Sequence, residues 1–272
     1  MLYDTHCHPY LAKQKTQDEV LENFFRFGGK YINSIGCDIE TSQTSIKLAK
    51  KHPGVFATIG IHPTYVLKYR DKFEEALTEL ETLYQENSEH IVGIGETGLD
   101  YYWLESLSKK YNISESEIKQ IQKDFFIAQI ELAQKLKLPL IIHNREARDD
   151  VFKILKNSNF KNFVFHCYSE DLEFAQRLVE FAPDGKLGFG GVVTFKNAQK
   201  TQEAAKYIPL KNIIIETDSP YLTPTPQRGK QENEPSYTQY VLDTITELRD
   251  ENPKEIKKAI FENSYNFFHP KA

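Results

Sequence analysis

Cysteine is scarce in this 272-residue chain: Cys7, Cys37 and Cys167 lie far apart and form no Cys-x-x-Cys pair. That excludes a disulfide framework and a thiolate zinc motif, and it fits a reducing cytoplasm. An excess of positive charge is missing too. With 34 Lys and Arg against 39 Asp and Glu, the formal net charge is -5 and the pI is near 6.0. No chain-wide basic field attracts a polyanion, so any contact with nucleic acid has to come from a local cluster or from bound cations. Long apolar runs are absent as well. None approaches the roughly 18 residues that span a bilayer, and the first residues do not show a basic segment followed by an apolar core. These absences lead to the expectation of a soluble, unexported, cytoplasmic protein with no membrane contact. No repeat or low-complexity tract stands out, and without an apolar surface stripe the expected state is a monomer with no obligate protein partner.

What the chain does have is a rhythm. Eight short segments rich in Ile, Val, Phe and Gly recur at 2–6, 30–36, 55–61, 90–96, 138–143, 162–166, 186–190 and 212–218. Between them lie stretches with helical spacing, such as Thr16–Phe27, Phe73–Tyr84 and Asp171–Phe181. Alternating strand and helix implies right-handed crossovers and a parallel sheet. The length suits two ordinary domains or one closed α/β barrel of about 250 residues. Because the pattern spans the chain, the expectation is a single (β/α)8 barrel of the TIM type over residues 1–272. Ser114-Glu115-Ser116-Glu117 predicts a capping box opening a helix to about Leu136. The polar stretch from Trp103 to Ile113 reads as an irregular surface excursion, and Ser236–Arg249 and Pro253–Phe268 as two closing helices.

The predicted strands end in side chains that bind metals. His6 and His8 follow Leu2-Tyr3-Asp4-Thr5, Glu96 follows Ile91–Gly95, His143 follows Leu140–Ile142, His166 follows Phe163–Phe165, and Asp218 follows the run Ile213–Ile215. In a parallel barrel all strands open at their carboxyl ends onto one face, so these six would converge there. His6 and His8 share strand parity and point the same way. Asp4 shares that parity and is expected to fix an imidazole tautomer, with a helix or turn cap as its ordinary role. Glu96, set among glycines in an apolar surrounding, is expected to bridge two cations, because a lone carboxylate there is costly. His143 and His166 close adjacent strands and complete the second cation with Glu96. Asp218 is expected beside His6 and His8, both as a ligand and as an acceptor of a proton from water, while Glu216 lies deeper and supplies a supporting hydrogen bond. Two cations about 3.5 to 4 Å apart lower the pKa of a shared water and hold phosphoryl oxygens, with no need of a nucleophilic Ser or Cys. Imidazole and carboxylate together suit zinc, manganese, iron or cobalt, and magnesium less well.

Several motifs resemble the TatD family of metal-dependent hydrolases, in order from residue 1 to about 268. They are Asp4-Thr5-His6-Cys7-His8, Gly60-Ile61-His62-Pro63, the run Gly95–Tyr102, Pro139–His143, His166-Cys167-Tyr168-Ser169 and Glu216–Leu222. The resemblance implies a metallo-dependent hydrolase barrel with a two-metal site. It also implies phosphodiesterase or deoxyribonuclease activity, commonly trimming of single-stranded DNA from the 3′ end. By position, His6, His8, Glu96 and Asp218 match the family's first metal site, and Glu96, His143 and His166 its second. Arg145 and the Arg228-Gly229-Lys230 run resemble its polar loops around the substrate. Two departures stand out. The stretch from Trp103 to Ser116 is roughly ten residues longer than the family's connection, and Gln231–Pro235 carries more negative charge than a nucleic-acid path would favour.

Phosphate contacts are expected from His62, Arg145, Arg228 and Lys230. The alternatives are an Arg145 ion pair with Glu146 or Asp149, a solvated turn for Arg228 and Lys230, and a turn cap for His62. Tyr102 and Tyr168 are candidates for stacking on unpaired bases, with packing as their alternative. The function expected is a hydrolase of ester bonds acting on single-stranded DNA or RNA. The rivals are an amide or lactone hydrolase with the same metal layout, which commonly bridges its metals with a modified lysine where this chain has Glu96, and a non-catalytic interaction module.

Overall fold

The structure, a computed structural model, describes residues 1–269. Eight strands pair in sequence order: β1 (Leu2–Cys7), β2 (Gly29–Ile35), β3 (Val55–Ile59), β4 (Ile91–Asp100), β5 (Leu140–Arg145), β6 (Phe163–Phe165), β7 (Lys186–Phe189) and β8 (Ile213–Ile215). The β1–β2, β3–β4, β4–β5 and β7–β8 pairs are parallel. Beyond β8 the chain returns to the first strand: Asp218 N donates to His6 O (2.9 Å) and His8 N donates to Ser219 O (2.8 Å). This is the connectivity of the TIM-type (β/α)8 barrel that the alternating pattern predicts.

Two compact units are distinguished within the fold. One comprises residues 1–34, 52–56 and Phe165 onward, with α1 (Gln17–Arg26), α7 (Leu172–Phe181), α8 (Gln199–Tyr207), α9 (Thr238–Leu248) and α10 (Pro253–Phe268). The other comprises residues 35–51 and 57–164. It carries α2 (Ile39–Lys51), α3 (Phe73–Asn87), α4 (Leu104–Tyr111), α5 (Glu115–Leu136) and α6 (Arg148–Ser158).

In the first unit, α1 starts at a full capping box. Thr16 Oγ1 accepts from Glu19 N, and the Glu19 carboxylate accepts from Thr16 N at 2.8 Å. An alanine at Thr16 would cost about 1 kcal/mol. The predicted box at Ser114 is half formed: Ser114 Oγ accepts from Glu117 N (3.2 Å), but the Glu117 carboxylate does not return the bond.

Two expectations are corrected in the second unit. The stretch after Trp103 is not irregular; it is α4, which buries Leu104 and Leu107 at a spacing of three and ends on left-handed Asn112. The fourth strand does not stop at residue 96. It runs through Asp100, every residue of it buried. Packed on it is α5, whose buried stripe includes Ile118, Phe125, Phe126, Ile130 and Ala133, with two glutamines, Gln122 and Gln129, among these apolar side chains.

Candidate metal centre

In the first unit, His6 on β1 and His8 just beyond its end bring their rings within 5.1 Å of each other, and both are buried. Asp218 faces them from the segment after β8. Its Oδ1 lies 3.4 Å from His8 Nε2 and 3.7 Å from His6 Nε2. The Asp218 backbone is left-handed (φ +56°), a conformation that Asp tolerates better than most residues and that marks sites held in place by their surroundings. Burial pushes the Asp218 carboxyl up, but the His8 hydrogen bond and the charges of His166, His6 and His8 outweigh it and hold the group below the usual carboxylate range. The His166 ring stacks on His6, centroids 3.8 Å apart, and donor atoms of His6, His166 and Asp218 lie within 4.8 Å of one another.

A carboxylate lies behind the His166 ring: Glu216 Oε1 sits 3.3 Å from His166 Nδ1 and accepts a hydrogen bond from Cys167 N. Gly188 makes room for it, since a Cβ there would fall 2.3 Å from Glu216 Oε2. Asp4 acts differently from the expectation. Its carboxylate does not hold an imidazole; it takes bonds from Thr217 Oγ1 (2.6 Å), Thr217 N (2.9 Å) and the His6 backbone N (3.3 Å). Burial raises its pKa to about 8 in spite of those bonds. The partner is Thr217 because the chain beyond β8 runs alongside β1, which brings its backbone N–H to the carboxylate. Asp4 thus ties β1 to the residue preceding Asp218.

In the second unit, Glu96 Oε1 lies 2.8 Å from His143 Nδ1 and 3.5 Å from His62 Nε2. Asp100, which the sequence reading did not select, holds the other nitrogen of the same ring: its Oδ2 is 3.1 Å from His143 Nε2. Burial pushes the Asp100 carboxyl up, but the His143 bond and the charges of His143 and His62 bring it below its ordinary value. Strand parity was the available signal, because residues 96, 98 and 100 face the same way once β4 is extended. Gly98 between them is obligatory: a Cβ there would meet His143 O at 2.0 Å. His62, expected as a phosphate contact, lies in this cluster. Its ring packs 4.3 Å from that of His143, and its Nδ1 is 2.7 Å from Thr64 Oγ1, which also supplies the turn-capping alternative.

The two buried glutamines of α5 set the backbone of this cluster. Gln129 accepts from Ile61 N (2.7 Å) and donates to Ile61 O (3.1 Å), fixing the residue before His62. Gln122 does the same for Asp100, at 3.0 and 3.1 Å. Sequence reasoning missed both, although a glutamine on the apolar stripe of a helix marks a buried polar partner.

The donors fit divalent cations. Imidazoles clustered with carboxylates are the ligand chemistry of zinc, manganese, iron or cobalt. Three other histidines have ordinary partners: His52 pairs with Asp18, His90 with Glu89, and His269 lies against Tyr3. Among the expected substrate residues, Arg145 is exposed and stacks its guanidinium on Tyr102 at 3.6 Å. Arg228 lies over Phe195 (3.7 Å) on an exposed turn that also carries Lys230. Tyr168 is a packing residue, buried with its hydroxyl on Asp171 O. The acidic loop is engaged internally: Glu232 accepts from the backbone N–H of Lys13 and Gln14, and Glu234 pairs with Lys15.

The family profile described as TatD related DNase matches residues 3–269. The chain belongs to the TatD family. It is 38% identical to YabD of Bacillus subtilis, a metal-dependent hydrolase, over 98% of this chain and 99% of that one. It is 32% identical to the metal-dependent hydrolase YcfH of Escherichia coli K12, over 98% and 96%. Among solved structures, that of YjjV, a TatD homologue from Escherichia coli K12, superposes with a TM-score of 0.86 at 27% identity, covering 99% of this chain and 98% of that one. Membership makes this chain a TatD-family metal-dependent hydrolase, and the buried imidazole and carboxylate groups are its candidate metal ligands.

Proposed function

We propose that this TatD-family protein is a phosphodiesterase that removes nucleotides from the 3′ end of single-stranded DNA, and of RNA as a second polymer. The observation that carries the reading is the placing of three of the four candidate imidazole ligands close to carboxylates: His143 by Glu96 and Asp100, His8 by Asp218, His166 by Glu216. Under this proposal His6, His8, Glu96 and Asp218 hold one divalent cation and Glu96, His143 and His166 a second, with Glu96 shared. Bound there, such cations acidify water and neutralise phosphoryl oxygens.

The chain's own residues supply the rest. Asp218, kept below the usual carboxylate range, is ionised at neutral pH and is the acceptor for the proton that water loses on attack. Asp100 holds the His143 ring in one orientation, so its other nitrogen is set before substrate arrives, and Glu216 places a carboxylate beside His166. Arg145, flattened on Tyr102, offers its planar fork to a phosphate beside His143. Glu96 at the strand position where amide-hydrolysing barrels carry a modified lysine favours the diester over cyclic amides and lactones. The cytoplasmic, monomeric setting belongs to the same proposal; among the described residues no helix is long and apolar enough to cross a membrane.

The test sets a 3′-labelled oligonucleotide against a panel of cyclic amides and lactones with each divalent metal in turn. Progressive release of labelled nucleotide supports the reading. Turnover confined to the amides and lactones replaces it with the rival hydrolase, and binding of DNA without cleavage under any metal replaces it with an interaction module.

A further inference from the structure

The extended segment after β4 builds something that the family resemblance does not account for. Helix α4, together with the turn after His62, walls a groove of about 440 Å³ lined by Tyr65, Lys68, Trp103, Leu107, Lys110 and Tyr111, and no acidic residue lines it. In a chain with more acidic than basic residues, a groove with two lysines, three aromatic rings and no carboxylate is a local departure from the average. Tyr65 and Trp103 are each 44% exposed, so both rings present a face to the groove. Lys110 lies over the Tyr111 ring at 5.1 Å, and Lys68 is anchored by Asp38 at 2.8 Å.

Both walls connect directly to the imidazole cluster. The Tyr65 ring packs 6.3 Å from the ring of His62. On the other side Trp103 N donates to Asp100 Oδ1 (3.2 Å), while Asp100 Oδ2 holds His143. Trp103 packs edge-on against Tyr102, which carries the Arg145 guanidinium. Arg145, Tyr102 and Trp103 thus form one aromatic and cationic stack, and Trp103 carries it into the groove wall with Tyr111 and Lys110. Aromatic faces interleaved with cations are what unpaired bases and their phosphates bind without sequence preference.

We propose that this groove is a subsite for single-stranded nucleic acid, taking the nucleotides next to the one being removed, with Trp103 and Tyr65 as stacking faces and Lys110 as the phosphate contact. The proposal deepens the nuclease reading and rests on it for the direction of the strand. It assigns the extra helix a role in holding the strand close to the reacting end, so substrates shorter than the groove should lose apparent affinity.

Trp103 is the only tryptophan in the chain, so tryptophan emission, excited at the red edge where the tyrosines do not absorb, reports on this groove. The probe is a single-stranded oligothymidylate with phosphorothioate linkages, which resist hydrolysis, titrated into the full-length protein and compared with the same sequence as a duplex. The expected result is saturable quenching by the single strand, weaker quenching by the duplex, and about tenfold weaker binding after Lys110→Glu. In a second arm, Trp103→Ala should raise KM for a hydrolysable single strand about tenfold while kcat changes far less. Absence of quenching, or identical titrations for the wild type and Lys110→Glu, overturns the subsite. The two readings fail separately. Quenching without hydrolysis of any phosphodiester leaves the subsite standing and removes the nuclease, whereas efficient degradation with no quenching and an unchanged KM in Trp103→Ala does the reverse.

Discussion

His143 and His269 are the same side chain in opposite surroundings. The His143 ring lies between two carboxylates, Glu96 at 2.8 Å and Asp100 at 3.1 Å. The His269 ring lies among Phe56, Tyr265, Tyr31 and Tyr3, with the Tyr3 hydroxyl 3.1 Å from its Nε2, and burial pushes its pKa down to about 4. Both follow apolar runs in the sequence, Leu140–Ile142 and Phe267-Phe268. An apolar run ending in histidine therefore does not by itself identify a ligand. What sets His143 apart is a carboxylate at each ring nitrogen with a second imidazole, His62, beside it, which is what makes it a candidate ligand.

The largest break in this comparison comes from removing the carboxylate-bound ring. His143→Ala should lower hydrolysis more than about a hundredfold while the chain still folds and unfolds in one cooperative transition. Single-turnover kinetics and a melt check this, and unchanged turnover would remove His143 from the site. A smaller effect is expected from Asp100→Asn, which keeps the shape but weakens the grip on Nε2: a loss of about ten- to a hundredfold in metal affinity or activity, read by metal titration.

The backbone support is tested by Gln129→Leu. It leaves the N–H and C=O of Ile61 without their partner, so urea unfolding should show a loss of about 2 to 4 kcal/mol. A change of only a few tenths would show that Ile61 is held by other means.

The smallest effect belongs to His269. Its folded pKa, about 4, lies below its unfolded value of 6.5, so between those pH values the unfolded chain binds more protons than the folded one. Stability contributed by the neutral ring is therefore complete above about pH 6.5 and is lost as pH falls through that window. His269→Phe should flatten the slope of unfolding free energy with pH there, and a slope as steep as that of the wild type would contradict the assignment.

These contrasts also show how far the sequence alone reaches. The eight strands and the positions of His6, His8, Glu96, His143, His166 and Asp218 were legible, because strand patterning is local and ligand types sat at strand ends. Asp100 was hidden by ending the fourth strand at residue 96, four residues short of where it runs. Gly98 is an interior residue made necessary by the close approach of His143 O. Gln122 and Gln129 were hidden for a different reason: their partners lie 22 and 68 residues away, and only the packed fold brings those backbone groups to them. Asp4 had the right depth but the wrong partner, since parity gives the face of a strand and not the neighbour on that face.

The central claim is that the six donors hold divalent metal, and metal content measures it directly. Elemental analysis after equilibration with zinc or manganese and exhaustive dialysis should give close to two ions per chain for the wild type. Asp218→Asn and His143→Ala should each lose about one of them. A folded wild type that retains no divalent metal, or variants that retain the full complement, would contradict the account.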